Sequence, residues 1–253
     1  YKNERGIRKD GVRRTYGGVN ASRVLDDFTF EQFDNDVDAS GLLSIGLNVG
    51  QSSYTSNTIA SRVTSESVRL ENGFDGDELN PSINWSIEWE ERQFLSQQLA
   101  GEHILGADEA WTLNWQATAS RAERYAPDRR EVRFDQQGSD GIYNLQVPEL
   151  TRRYDDLVDD NLDASLDLEY LFSNGNLESK LELGVNGITR ERDSDSETYG
   201  FGGGILAIDD SAPNLLVSDV VNQDTITGDA STGFTFQDKT LPSDSYEAEL
   251  RRV

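Results

Sequence analysis

Apolar and polar residues alternate along several stretches of the chain, as in β-strands that have one apolar face. In residues 161–172 the even-numbered positions are apolar or aromatic, whereas the odd-numbered positions up to Glu169 are Asn, Asp, Ser or Glu. Asn174-Gly175 then predicts a tight turn, and residues 177–185 alternate again. Because the charges fall at every second residue rather than along one helical stripe, the pattern predicts a β-hairpin.

Two further hairpins are predicted upstream. One has a first strand over roughly 83–103, a link near 105–109 and a return strand from Trp111 to Ala119. The other pairs residues 43–49 with a Ser- and Thr-rich strand at about 54–63. Two weaker strands are expected in 1–34 and near the C-terminus.

The predicted connections alternate between short and long. Short ones lie near 50–53, 105–109 and 173–176, and long ones near 62–82, 127–160 and 193–245. The long segments hold most of the negative charge. Short turns at one end and long polar loops at the other are the topology of an outer-membrane β-barrel.

The amino-acid composition argues against several classes of function. The 253 residues include 47 acidic and 23 basic ones, for a net charge of −24, with one His, no Cys and no Met. This charge argues against binding nucleic acid along its phosphates. A lone His103 and the lack of Cys argue against a Ser-His-Asp triad or a multi-His or Cys-ligated metal site. Since Tyr1 is not an initiator, we expect a mature or truncated piece of a longer protein.

The fold class predicted is all-β, an antiparallel up-and-down transmembrane β-barrel present as an incomplete segment over 1–253. No apolar run approaches the ~18 residues of a membrane helix. Charged residues on one strand face and apolar ones on the other invert the pattern of a small soluble barrel, which fills its interior with apolar side chains. Aromatic residues near the short turns, such as Trp111 and Tyr170, fit an interfacial girdle, or alternatively ordinary cross-strand pairs.

Several local blocks resemble TonB-dependent outer-membrane receptors, within the N-terminal part of the barrel. They are Glu91-Arg92-Gln93 followed by Gln98-Leu99-Ala100-Gly101-Glu102-His103, Trp115-Gln116-Ala117 running into Ser120-Arg121-Ala122-Glu123-Arg124 and Pro127-Asp128-Arg129-Arg130-Glu131, and finally Asp244-Ser245-Tyr246-Glu247-Ala248. The resemblance spans nearly the whole chain and is loose in 1–35.

The resemblance implies a barrel of about 22 strands filled by an N-terminal plug domain. It also implies uptake energised by the TonB complex at the Gram-negative outer membrane. The chain departs from the family in having no plug, no TonB-binding segment and no terminal strand that ends in an aromatic residue. The implied partners are membrane lipid, the missing plug and strands, the TonB complex and an extracellular small ligand, with no nucleic acid.

Charged residues on the strands are the candidate site. Four arginines are expected to line the lumen or its mouth and to pair either with plug acids or with acids of this chain. The lumen-facing candidates are Arg62, Arg92, Arg121, Arg124, Asp163, Asp167, Glu169, Glu178, Lys180 and Glu182. Acid clusters at 155–160 and 193–197 are read as solvated loop charge, with calcium as the alternative. We predict no resident metal or cofactor.

The function predicted is an uptake receptor for a siderophore, vitamin, saccharide or peptide, whose specificity lies in loops. A passive porin-like barrel and a soluble extracellular β-sandwich binding module are the alternatives. An enzyme is not expected, because the sequence offers no nucleophile–base constellation.

Overall fold

A computed structural model describes most of the chain. The described residues are 1–18, 20, 23–77, 79–136, 142–146, 149–174, 177–203, 207–209 and 223–252. Among them, no helix has the length and apolar character that crossing a bilayer requires.

Six long strands dominate the structure, each of 24 to 27 residues. They are β2 (Arg23–Val49), β3 (Ser52–Asp75), β4 (Asn80–Leu105), β5 (Trp111–Gln136), β7 (Thr151–Asn174) and β8 (Leu177–Gly203). The others are β1 (Lys2–Gly17), β6 (Ile142–Leu145), β9 (Ala207–Asp209), β10 (Phe234–Asp238) and β11 (Tyr246–Arg252).

The strands form one antiparallel sheet in the order β1-β2-β3-β4-β5-β7-β8-β10, with β11 also on β8 and β6 bridging β5 and β9. Chain neighbours are sheet neighbours along β1 to β5, and β7 lies beside β5 and β8. Within the described residues β1 is not paired with β10 or β11, so the sheet is open. The predicted all-β, up-and-down architecture of an incomplete barrel is confirmed.

All three predicted hairpins are present. β2 turns into β3 at Gly50, which has a φ of +60°, and β4 is followed by Gly106, with a φ of +90°. Such angles lie in the left-handed region where glycine is unstrained. The third hairpin joins β7 to β8, and its turn at 175–176 lies outside the described residues. The six clear strands that the alternation predicts are the six long ones.

The predicted long loops at 62–82 and 127–160 are wrong for most of their length, and the one at 193–245 is wrong only in part. β3 continues to Asp75 and β4 starts at Asn80, so 62–82 is mainly strand. β5 likewise runs to Gln136 and β7 begins at Thr151, while β8 extends to Gly203. Only short β6, β9 and β10 and irregular segments occupy the remaining described parts of 127–160 and 193–245.

The loops were predicted wrongly because apolar and polar residues alternate only where the two faces of a strand lie in different environments. Beyond about ten residues from the short turns, polar and charged residues occur on both faces, so the apolar signal fades while the backbone ladder continues. At about 3.3 Å per residue these strands are roughly 80 Å long, whereas a bilayer span takes only ~9–11 residues. Trp85 and Trp89 therefore lie on the continuous strand β4, well beyond such a span.

Register places the alternating residues in rows that cross six strands. One row reads Leu47, Tyr54, Gly101, Trp115, Leu166 and Val185, each paired with the next. The adjacent row, on the other face, reads Asn48, Ser53, Glu102, Asn114, Asp167 and Gly184. The sheet thus has an apolar face and a polar face.

We call the apolar face of 39–49, 52–62, 95–105, 111–121, 162–172 and 179–189 the apolar band. The upper sheet is the part of the long strands beyond it, away from the short turns. Large apolar side chains of the band are 38 to 63% exposed, a contiguous patch rather than scattered residues. They are Leu43, Ile45, Leu47, Val49, Tyr54, Leu95, Leu99, Leu105, Trp111, Leu162, Leu166, Phe172, Leu181, Leu183 and Val185.

Buried apolar clusters lie in the upper sheet. The larger one packs at the far end of β5 and β8, with Ile83 and Trp85 against its side, and consists of Val132, Phe134, Tyr143, Leu145, Leu150, Phe201 and Phe234. Phe28 and Phe30 of β2 are the other buried pair, with 1% and 7% exposure. These clusters anchor the extended part of the sheet.

One side-chain network is built into the apolar band near the short turns. The indole Nε1–H of Trp115 donates to Nε2 of His103 at 2.9 Å, and Nδ1 of His103 lies 2.9 Å from Oγ of Ser52. Since an indole only donates, Nε2 is the acceptor and the ring proton sits on Nδ1. The indole reaches His103 by lying across Gly101, where any Cβ would meet the ring.

We therefore expect Gly101→Ala to displace the Trp115 indole and to lower the free energy of unfolding by about 1 kcal/mol or more, mainly through the lost hydrogen bond. Urea unfolding in detergent micelles, followed by tryptophan emission, measures this. Gly41→Ala is the matched control. Gly41 lies on β2, on the same face of the sheet as Gly101, and a Cβ there meets nothing within 4 Å. Equal effects of the two substitutions would contradict the packing described.

Candidate functional site

The polar face collects eight of the ten predicted site residues. Register puts them on the same face as the row of Glu102 and Asp167. They are Arg92, Arg124, Asp163, Asp167, Glu169, Glu178, Lys180 and Glu182.

Arg62 and Arg121 lie on the other face, so strand register separates them from the other eight. Arg62 is paired in register with Gln93, and Arg121 with Asp160, at the upper border of the apolar band. The face of a side chain depends on strand register, and a shift by one residue reverses it. Their charge suggested the polar face, but strand register places both side chains on the apolar face.

All four arginines form ion pairs within the chain. Glu90, whose side chain is 12% exposed, pairs with two of them. One of its oxygens lies 2.5 Å from Nε of Arg124, and the other lies 2.5 Å from a terminal nitrogen of Arg92. Arg62 pairs with Glu91, and Arg121 with Glu123 at 2.5 Å. Of the two alternatives for their partners, acids of this chain are the ones that the structure supplies.

Near the short turns the polar face is mainly acidic and hydrophilic, although the exposed side chains of Leu42, Ile59 and Leu171 also lie on it. Lys180 lies between Glu169 at 2.6 Å and Glu182 at 3.4 Å. Asp163, Asp167 and Glu178 take part in no ion pair among the described residues. A shallow cavity of about 310 Å³ opens beside Asp167, lined by Ser53, Thr55, Glu102, Asn114, Gln116 and Ser165. Such a face suits contact with water or with a polar partner, and not with hydrocarbon.

A larger groove lies on the polar face of the upper sheet. We call it the upper groove; it has a volume of about 670 Å³, and its polar lining includes Arg13, Arg69, Glu71, Asn84, Ser86, Glu131, Arg133 and Glu149. It is assembled from β1, β3, β4 and β5 and from the segment before β7. These residues come from five separate parts of the sequence, which only the strand register brings together.

Glu71 organises one side of the upper groove. It accepts two hydrogen bonds from Arg13, at 3.3 and 3.0 Å, and pairs with Arg69. The guanidinium of Arg13 lies 4.5 Å from the ring centre of Phe28, and that of Arg69 lies 3.9 Å from Phe30. Stacking on aromatic rings holds both guanidiniums in fixed orientations, and the bidentate pairing with Glu71 adds to this for Arg13.

The charges around Glu71 set its ionisation. Burial raises the pKa of this carboxyl, but the hydrogen bonds and positive charges of Arg13 and Arg69 lower it more, so its pKa lies below its usual range. Glu71 is thus anionic at neutral pH.

Arg133 forms the opposite side of the upper groove. It lies 2.8 Å from Asp75 and 2.8 Å from Asp135, and it approaches Oγ of the fully buried Ser82 at 3.4 Å. Its side chain is 14% exposed. The groove therefore presents oriented charges that are already paired, and such an arrangement would suit a polar ligand held through hydrogen bonds more than through net charge.

The acid clusters that suggested calcium are divided by the strand faces. Asp155 and Asp159 point to the polar face, where Arg153 pairs with the first and Arg190 and Arg192 with the second. Asp156 and Asp195 face each other on the opposite side. In the described part of the chain, no three acidic or His side chains are grouped to hold a metal ion.

Sequence reasoning missed the upper groove, because its residues lie in segments expected to be loops or weak strands. A signal was present: Phe28 and Phe30 alternate with Asp27 and Thr29, and Arg69 and Glu71 also lie two residues apart. This period of two marks strand faces even where apolar residues are scarce.

Asp128 pairs with two arginines. It sits at the irregularity where β5 shifts register against β7, with a φ of +62°, and contacts Arg130 and Arg152. Burial raises the pKa of this carboxyl, but hydrogen bonds from the two arginines prevail and lower it from 3.8 to about 2. Stabilisation by a carboxyl of depressed pKa is complete above its unfolded pKa and is lost as pH falls toward its folded one.

We expect Asp128→Asn, which keeps a residue tolerant of left-handed backbone, to lower the free energy of unfolding at pH 7 by about 2 kcal/mol at most. The variant should also lose part of the acid sensitivity that the native chain shows between pH 4 and pH 2. Urea midpoints across this pH range measure both effects. Asp156→Asn removes an equal charge opposite Asp195 and should cost nothing; an equal loss in both variants would refute the stabilising role of the two ion pairs.

Comparison with known protein families, with curated proteins and with solved structures finds no match to this chain. The resemblance to TonB-dependent receptors thus rests on the local sequence blocks alone.

Proposed function

We propose that this chain is the membrane-spanning section of an outer-membrane receptor of Gram-negative cells, of the TonB-dependent type, which imports a scarce small ligand. The observation that carries the proposal is the pair of rows described above. In a single layer of sheet, one face exposes a contiguous band of Leu, Val, Ile and aromatic side chains, and the other carries most of the charged side chains.

Hydrocarbon is the medium that this arrangement fits. In lipid, exposed apolar side chains are favourable, and every backbone N–H and C=O needs a protein partner. The long ladders supply those partners between neighbouring strands. Among the described residues, β1 pairs only with β2 and β11 only with β8, so both are edge strands. The proposal therefore includes further strands that complete the barrel and a domain that fills it and reaches the TonB complex.

The upper groove is the proposed ligand site. It lies on the polar face, beyond the apolar band, where an external ligand would arrive first. Its paired arginines and carboxylates, next to buried Phe28 and Phe30, suit a compact polar ligand such as a siderophore, vitamin, saccharide or peptide.

Two other functions predict different observations. A soluble β-sandwich needs a second sheet packed on the apolar face, and the described strands form one sheet. A passive porin would use the same kind of section but would have no filling domain. The whole protein would then conduct ions across a planar bilayer without an energy source, whereas the receptor would not.

The lipid-facing assignment predicts opposite results for two neighbouring positions. Leu166→Arg places a charge at the middle of the apolar band, where it costs about 2–4 kcal/mol in a bilayer. Binding of the chain to phosphatidylcholine vesicles should fall by roughly 30-fold or more. Flotation of vesicles with bound chain measures this.

Ser165→Arg is the matched control. It adds the same charge one residue away, on the polar face, and should leave vesicle binding within about threefold of the native chain. Circular dichroism checks that both variants keep their strands. If Leu166→Arg binds as well as Ser165→Arg, the apolar band does not face lipid and the proposal fails.

A further inference from the structure

Four arginines gather on the polar face, between the upper groove and the short turns. Arg92 and Arg124 are paired directly across β4 and β5, and we call them the first pair. Arg190 and Arg192 of β8 are the second pair. Register places both pairs on the same face, with Leu157 beside Arg124 and between the two. None of the four lines the upper groove.

Only two carboxylates neutralise these four guanidiniums. Glu90 contacts both arginines of the first pair. Asp159 accepts a hydrogen bond from the Nε of each arginine of the second pair, at 2.7 Å in both cases. In the described part of the chain no other carboxylate lies within ion-pair distance of them. Each pair therefore keeps one positive charge in excess.

The two carboxylates lie beneath the guanidiniums. The side chains of Glu90 and Asp159 are 12% and 8% exposed, whereas those of the four arginines are 36 to 67% exposed. Contacts with these carboxylates use at most two of the three nitrogens of any one guanidinium. Tyr246 is a further hydrogen-bond partner of Arg192, but it is neutral and does not offset the charge. Charge and N–H donors thus remain for a partner above the sheet.

The surface between the two pairs is apolar. Leu157 lies beside Arg124, and Phe94 and Ala122 are paired in the row directly below. Two strands and one row separate Arg124 from Arg192, which places their Cα atoms roughly 12 Å apart. A ligand that contacts both pairs must therefore carry two anionic groups that are joined by a short apolar segment.

We propose that the two arginine pairs together bind a small organic dianion, in which two carboxylate or phosphate groups are joined by a short apolar segment. One anionic group contacts the first pair, the other contacts the second pair, and the segment lies over Leu157. Guanidinium forks match the oxygen pairs of carboxylates and phosphates. This site is distinct from the upper groove, and binding to it needs no membrane.

Isothermal titration calorimetry of the whole chain in dodecyl maltoside micelles at low salt tests the proposal. The probes are suberate, a linear dicarboxylate, and monomethyl suberate, which has the same chain but a single carboxylate. Suberate should bind roughly threefold to tenfold more tightly, because one further exposed ion pair adds up to about fivefold to the statistical gain of having two carboxylates. An advantage no larger than that statistical gain, about twofold, overturns the proposal.

Two variants remove the excess charge and still leave one arginine with each carboxylate. In Arg92→Gln and in Arg192→Gln, suberate should keep no advantage beyond the statistical gain. Arg121→Gln is the matched control, because it removes the same charge from β5 on the apolar face, where the Arg121 side chain is 52% exposed. It should keep the full advantage. Retention of the advantage in Arg92→Gln, or its loss in Arg121→Gln, contradicts the assignment.

An acidic protein segment is the other partner that such a surface could take. An acetylated and amidated Glu-Ala-Glu peptide has the same charge as suberate and is therefore the third probe. Weaker binding of this peptide than of suberate is expected. If the peptide binds more tightly than suberate, and loses that affinity in Arg92→Gln, the arginines dock a protein segment and the small-molecule assignment is wrong. Because these measurements use micelles, their outcome is separate from the vesicle binding that tests the proposed function.

Discussion

The backbone ladder between long antiparallel strands is the interaction on which this structure depends. Adjacent long strands pair over about twenty residues or more, in continuous register between β2 and β3, β3 and β4, and β7 and β8, and with one irregularity each between β4 and β5 and between β5 and β7. By contrast, the fully buried apolar side chains are few and lie in the upper sheet. A single layer has two faces and can bury neither against itself. A soluble domain of this size buries roughly 70% of the surface of its unfolded chain, so the apolar band needs another medium or partner.

The contrast between the two faces follows from the absence of a second layer against which either face could pack. Near the short turns, the two faces differ sharply, as the rows of Leu166 and Asp167 show. In the upper sheet both faces carry charged side chains, and ion pairs such as those of Asp128 and Glu71 help to hold the strands together. Arginines that stack on Phe28 and Phe30 replace part of the packing that a core would provide. The side-chain pattern of the same strands therefore changes along their length, and the row of Arg121, Asp160 and Glu191 marks the change.

The sequence predicted those parts of the fold in which one face is apolar. Leu162 to Phe172 and their neighbours identified the hairpins, their turns and their faces, because period two is unmistakable there. It could not predict how far the strands extend, since Ser, Thr and charged residues in β3 and β8 look the same in a loop and in a solvated strand. Nor could it place Arg62 and Arg121, or assemble the upper groove, because both depend on register between distant segments.

The central claim is that the apolar face of residues 162–172 lies in hydrocarbon. The chain has no Cys, so single Cys substitutions can carry a spin label at each of these positions without other changes. For the vesicle-bound chain, we predict that accessibility to oxygen peaks at even-numbered positions and accessibility to a water-soluble nickel complex at odd-numbered ones. The alternation should fade between 151 and 160. Nickel accessibility at Leu162 and Leu166 as high as that at Asp163 and Asp167 would contradict the account.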